Sequence, residues 1–208
     1  MINKPLVSVV IPSYNPDNYI FRAIDSVLNQ TYKNIEIIVV DDWSEKVNLE
    51  VLLKDYIESD KIKFYKKKNW WPWSARNFWV EKSNWEYIAF LDDDDEYLQE
   101  KIEKQINAVL KEGFEIVLTN WYTVDINWNK KEFIRKSKKA IDFLKNDERI
   151  LLFPWLMISK KIFKQIWWIP NVYFWEDRLF IMTIFDKYFY KIIDDFLFLI
   201  FENIINDK

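Results

Sequence analysis

Short apolar runs alternating with helix-spaced stripes are the feature that most narrows what this chain can fold into. Leu6–Ile11, Ile35–Val40, Ile62–Tyr65, Tyr87–Leu91 and Glu115–Thr119 each have the length of a buried strand. Between them, Ile20, Ala23, Ile24, Val27 and Leu28 recur at helical spacing, as do Leu98, Ile102, Ile106, Val109 and Leu110, a stripe that Gly113 closes. Asn15 and Pro16 predict a helix start, and Leu49–Ile57 and Ser74–Glu81 have helical character. Strands alternating with helices imply βαβ units, so the fold class is α/β with a mostly parallel central sheet flanked by helices.

The rhythm changes after Trp121. Tyr122–Ile134 reads as a hairpin around Asn127-Trp128-Asn129, Ala140–Asn146 and Lys160–Ile166 as short helices, and Phe174–Tyr188 as a longer one. Lys191–Phe201 resembles one or two closing strands. The expectation is a single domain over residues 1–208 with an irregular α+β C-terminal third.

Within this frame one stretch concentrates chemistry. Tyr87–Glu96 reads YIAFLDDDDE, an apolar strand running straight into Asp92, Asp93, Asp94 and Asp95. In open α/β sheets ligands bind at that carboxyl edge. Carboxylates crowd there only against a counter-charge, and a divalent cation is the usual one. Spacing alone does not rank the four. Asp93 and Asp95 read equally well as solvated bystanders.

Composition removes several alternatives. The chain has no histidine and no cysteine, so catalysis falls to carboxylates and any metal must be held by oxygen. A net charge of -3 argues against a broad nucleic-acid surface. No apolar stretch is long enough to span a bilayer, and no signal peptide opens the sequence. No GxGxxG follows the first strand, which speaks against a dehydrogenase. The segment PSYNPD at that place also lacks the glycine-rich loop of a sugar nucleotidyltransferase.

Five segments in order carry a resemblance: SVVIPSYN at Ser8–Asn15, VVDDWS at Val39–Ser44, SARNFW at Ser74–Trp79, FLDDDD at Phe90–Asp95 and WED at Trp175–Asp177. Together they resemble family 2 glycosyltransferases of the GT-A (Rossmann-like) fold. The resemblance implies a donor-binding part over about 1–120 and an acceptor-side part over about 121–208. It also implies that Pro12 and Tyr14 pack the nucleotide base and that Asp42 accepts hydrogen bonds from a uracil. Arg76 matches an arginine near the base and phosphates. Asp92, Asp93 and Asp94 stand at the DxD signature, which binds ribose and a Mg²⁺ or Mn²⁺ that bridges the diphosphate. Asp177 matches the general base, with Glu176 beside it. The implied reaction is metal-dependent, inverting transfer from a nucleotide sugar, with a UDP-sugar expected, to a glycan or lipid-linked acceptor in cell-surface polysaccharide or glycoconjugate synthesis. A cytoplasmic protein follows, with peripheral association at the inner membrane face left open. The competing class is an inactive domain of the same fold that binds a nucleotide sugar or a protein partner.

The departures from the family are systematic. The sequence holds 12 Trp and 1 Gly, whereas ordinary usage predicts roughly 15 Gly in such a chain. DDWS stands for DDGS, and NWWPWSARNFW for a run close to NGGPGSARNFG. Trp85, Trp128, Trp167, Trp168 and Trp175 also fall at turns that want glycine. A carbohydrate-binding aromatic face would instead align its indoles along one strand or helix. The pattern fits UGA codons read as glycine by the organism and as tryptophan in this translation, with Trp121 and Trp155 the least clear positions. Peptide mass spectrometry on natively produced protein is expected to find glycine at most of the twelve. Tryptophan at positions 43 and 175 would sink the recoding and favour the inactive-domain reading.

Overall fold

In the computed structural model, residues 4–67, 86–125, 127–133, 154, 156–166, 184 and 187–201 are described. Among the described residues nine strands form one sheet. The first four are β1 (Val7–Ser13), β2 (Ile35–Asp41), β3 (Lys63–Lys66) and β4 (Tyr87–Phe90). They pair parallel with one another in the order β3-β2-β1-β4, as the alternation predicts. Helix α1 (Tyr19–Leu28) crosses between β1 and β2 and buries Ile20, Ala23, Ile24 and Val27 against them. The short helices α2 (Leu49–Leu52) and α3 (Lys54–Glu58) replace the single helix expected there.

Two local expectations are corrected. The first strand does not stop at Pro12 but continues through it to Ser13. Pairing with β4 ends at Val10, so the missing proline N–H faces a side where the ladder has already finished. The first helix starts at Tyr19 rather than near Asn15. The Asn15 side chain is committed elsewhere: its Oδ1 accepts from the backbone N–H groups of Glu45 at 2.9 Å and Lys46 at 2.8 Å.

Beyond β4 come β5 (Glu96–Tyr97), α4 (Lys101–Glu112), β6 (Ile116–Val124) and β7 (Lys130–Phe133). Gly113 ends α4 in the left-handed conformation at φ 76. The hairpin expected around Asn127-Trp128-Asn129 forms, its first arm being the continuation of β6, which pairs Val124 with Lys130. β8 (Leu156–Ser159) precedes α5 (Lys160–Ile166) and inserts antiparallel between β4 and β6. All four of its residues are buried, yet no apolar alternation marks it in the sequence. β9 (Lys191–Phe201) is one strand of 11 residues, parallel to β6 with bulges near Asn120 and antiparallel to β5. The segments expected as helices at 74–81, 140–146 and most of 174–188 lie outside the described residues. Among the described residues no helix is long and apolar enough to cross a membrane.

Of the twelve tryptophans, Trp43, Trp121 and Trp128 are among the described residues. Trp43 and Trp128 have φ of 69 and 63, in the left-handed region. A Cβ there costs about 1–2 kcal/mol, a penalty glycine escapes. Trp121 instead lies within β6, 7% exposed and packed in the core.

Among the buried polar residues one is a lysine. Lys101 is fully buried, its ammonium donating to Gln105 Oε1 at 3.0 Å and lying 4.1 Å from the centre of the Tyr97 ring. Burial without a carboxylate pushes its pKa well below 10.5. Between that lowered value and 10.5 the unfolded chain holds a proton that the folded chain lacks, so stability rises with pH. Burial of Tyr32 and Tyr56 lifts both phenols to about 12, so their effect begins near pH 10 and has the opposite sign. Urea midpoints measured from pH 7 to 9.5 should therefore climb more steeply in the parent than in Lys101→Met. The difference in slope should be at most about 1.4 kcal/mol per pH unit. Equal slopes would mean that Lys101 stays charged in the fold.

Candidate donor-binding site

Parallel strands in register bring their carboxyl ends to one edge. Ser13 pairs with Asp41 across β1 and β2, and Val10 pairs with Phe90 across β1 and β4. Asp42 and the turn Asp92–Asp95 therefore leave the sheet on either side of Ser13. That serine ties them together. Its backbone oxygen accepts from the Asp42 N–H at 2.8 Å, and its hydroxyl donates to Asp93 Oδ2 at 2.5 Å. Sequence reasoning quoted Ser13 within a motif but gave it no role; a hydroxyl closing an apolar strand was the available signal.

Asp41 braces the turn that presents Asp42. It is fully buried, accepts the Ser44 N–H on Oδ1 at 2.7 Å, and has Lys66 Nζ 3.5 Å from Oδ2. Ser44 Oγ in turn accepts the Asn15 N–H at 2.8 Å, fastening the loop after β2 to the loop after β1. Asn15 has a φ of 48, a region asparagine enters more readily than most residues, and its side chain is fixed there by the loop after β2. Asp42 remains partly exposed, with Lys67 Nζ 3.9 Å from its Oδ1. Burial lowers the Lys67 pKa while Asp42 opposes the shift. Pro12 is half-buried, and Tyr14, at 55% exposure, stands at the rim rather than in the core.

The four aspartates are not equivalent. Asp92, Asp93 and Asp94 are half-buried, whereas Asp95 is 2% exposed and accepts the Phe201 N–H at 3.2 Å. The expectation that Asp95 is a solvated bystander is thus corrected: it is the anchor that joins the turn to the end of β9. Burial pushes its pKa well up, with Asp92 and Asp94 adding repulsion. Asp93 is raised to about 6, first by burial; its bond from Ser13 pulls the other way and the neighbouring Asp94 charge adds to the rise.

Arg22 carries no signal in the sequence, because it lies 70 residues before the turn it contacts. Its Nη2 donates to the Asp94 carbonyl at 3.0 Å, and its Nε lies 2.5 Å from Glu96 Oε1. Arg76 and Asp177, with Glu176, fall outside the described residues. Among the described residues no three carboxylates converge to hold a metal by themselves. That donor set fits a hard cation bound by one or two carboxylates plus substrate phosphates, the usual Mg²⁺ arrangement.

Comparison with known proteins gives this edge a context. The sequence model described as Glycosyl transferase family 2 matches residues 8–167. A Haemophilus influenzae protein named an uncharacterized glycosyltransferase is 39% identical over 145 residues, covering 69% of this chain and 57% of its own length. Another of that name from Methanocaldococcus jannaschii is 34% identical over 204 residues, covering 94% of this chain and 70% of its own. The chain spans 47% of a third, from Rickettsia typhi. The crystal structure of S. aureus TarS 1-349 in complex with UDP superposes with a TM-score of 0.74 at 20% identity, covering 94% of this chain and 60% of that one. Its complex with UDP-GlcNAc gives 0.75 at 19% identity, covering 95% and 58%. The shared architecture is the GT-A fold.

Proposed function

Because the chain belongs to glycosyl transferase family 2, we propose that it transfers a sugar, with inversion, from a nucleotide-sugar donor to a hydroxyl of a glycan or lipid-linked acceptor. The observation that carries this reading is the Ser13 junction, which holds Asp42 and Asp93 at one sheet edge. A base-binding carboxylate and a diphosphate-binding turn need that adjacency. UDP is the expected carrier; the related TarS fold has been seen with UDP and UDP-GlcNAc.

In this reading Pro12 and Tyr14 flank the base, and Asp42 accepts from its ring N–H. Asp92 and Asp93 bind the donor's ribose side, Arg76 meets the phosphates, and Asp94 would hold a Mg²⁺ or Mn²⁺. The cation, when bound, neutralises charge on the departing diphosphate. Asp177 takes the proton from the acceptor hydroxyl, whose oxygen bonds to the anomeric carbon on the face opposite the leaving group. The sugar–phosphate bond breaks there, and its electron pair leaves with the nucleoside diphosphate. The acceptor side falls to residues from about 121 onward.

Glycine at the recoded positions belongs to the same reading. The left-handed backbone at Trp43 and Trp128 supports it, and Trp121, set in a strand, is best kept as tryptophan.

Calorimetry of UDP with the glycine-restored chain tests the donor site. Binding should need Mg²⁺ or Mn²⁺ and weaken sharply in Asp94→Asn; equal affinity with and without chelator would count against it. Kinetics test the base separately. Asp177→Asn should lower kcat by about 10²–10⁴-fold with the UDP dissociation constant nearly unchanged. Near-normal turnover removes Asp177 from the role, and parallel losses in both would make it structural.

A further inference from the structure

One guanidinium grips the acidic turn from the helix side, and the chemistry proposed above leaves it without a task. Arg22 donates through Nη2 to the Asp94 carbonyl and pairs through Nε with Glu96. These two partners flank Asp95, one held by a hydrogen bond and the other by charge, so the guanidinium spans the turn. The Phe201 ring centre lies 3.6 Å from the guanidinium carbon and that of Tyr19 4.9 Å. Phe201 also supplies the backbone N–H that Asp95 accepts. Arg22 therefore stands where α1, the acidic turn and the end of β9 meet.

We propose that Arg22 is the positioning residue of the acidic turn, holding the Asp94 carbonyl by a hydrogen bond and the Glu96 carboxylate by an ion pair and so setting where the Asp94 carboxylate meets cation and diphosphate. The proposal rests on the donor-binding reading above. Its physical basis is the demand of the ion. Mg²⁺ accepts near-ideal octahedral geometry with oxygens at about 2.0–2.1 Å, so a carboxylate on a loose turn binds it poorly. A guanidinium directs an N–H at the Asp94 carbonyl while its charge pairs with Glu96, whereas an ammonium is a point charge without that directionality. A role confined to seating α1 is the competing account. That helix is already held by four buried apolar side chains and by Gln30, whose Nε2 donates to the Leu98 carbonyl at 2.8 Å.

The test is UDP binding to the full chain, with glycine restored, across a Mg²⁺ series. Parent, Arg22→Met, Arg22→Lys and Glu96→Gln are compared, with urea midpoints alongside. In Arg22→Met the Mg²⁺ concentration for half-maximal UDP binding should rise about 10–100-fold, the usual range for residues that orient metal ligands. Arg22→Lys should rise nearly as far and Glu96→Gln in the same direction, while UDP affinity at saturating Mg²⁺ and the urea midpoint stay close to the parent's. An unchanged Mg²⁺ requirement in Arg22→Met overturns the proposal, as does a loss of UDP affinity that saturating Mg²⁺ does not restore. Full rescue by lysine also overturns it, since charge alone would then suffice. Should Arg22→Met fail to fold, parent-like Mg²⁺ curves in both Arg22→Lys and Glu96→Gln overturn it. A parent lacking metal-dependent UDP binding overturns the donor reading and this role together; a metal-dependent parent with unchanged variants overturns the role alone.

Discussion

Five consecutive acidic residues, Asp92 to Glu96, are the constraint that the surrounding structure answers. Charges of one sign this close repel strongly once water is displaced, and the repulsion grows as the turn is buried. The fold meets each in a different way. Asp93 takes a hydroxyl from β1, Asp95 a backbone N–H from β9, and Glu96 a guanidinium from α1. The turn is thus held by three elements that come from separate parts of the chain, while Asp92 and Asp94 stay partly open to solvent.

The same economy appears on the other side of Ser13. Asp41 is spent on structure so that Asp42, its neighbour, can face outward with its backbone pinned to β1. Carboxylates in both motifs divide in this way, Asp41 and Asp95 buried and bonded, Asp42 and Asp94 partly exposed. Sequence pattern alone treats the two as interchangeable. Burial separates them.

How much was legible follows from which interactions are local. Strands β1 to β4 and helix α1 show in the sequence because their apolar spacing is set by the face they bury. The position of Asp42 and the acidic turn follows from the parallel order of those strands. What escaped reading depends on partners far away in the chain. β8 is four residues without alternation because both of its faces are covered. β5 is two residues long and exists only because β9 returns to pair with it. Asn15 looks like a helix cap until the loop after β2 claims its side chain. Trp43 and Trp128 show the reverse, since a local backbone preference disagrees with the residue written there.

The bond from Phe201 to Asp95 joins residues 106 positions apart. Closing so long a loop costs chain entropy before any contact repays it, and pairings of this range slow folding. During synthesis the first four strands can pair before β9 is made, since the ladders among them do not include it. The carboxylate cluster then waits, unanchored at Asp95, until β9 arrives. Full anchoring of the acidic turn is in this sense a late event on the folding path, gained only when β9 docks beside it.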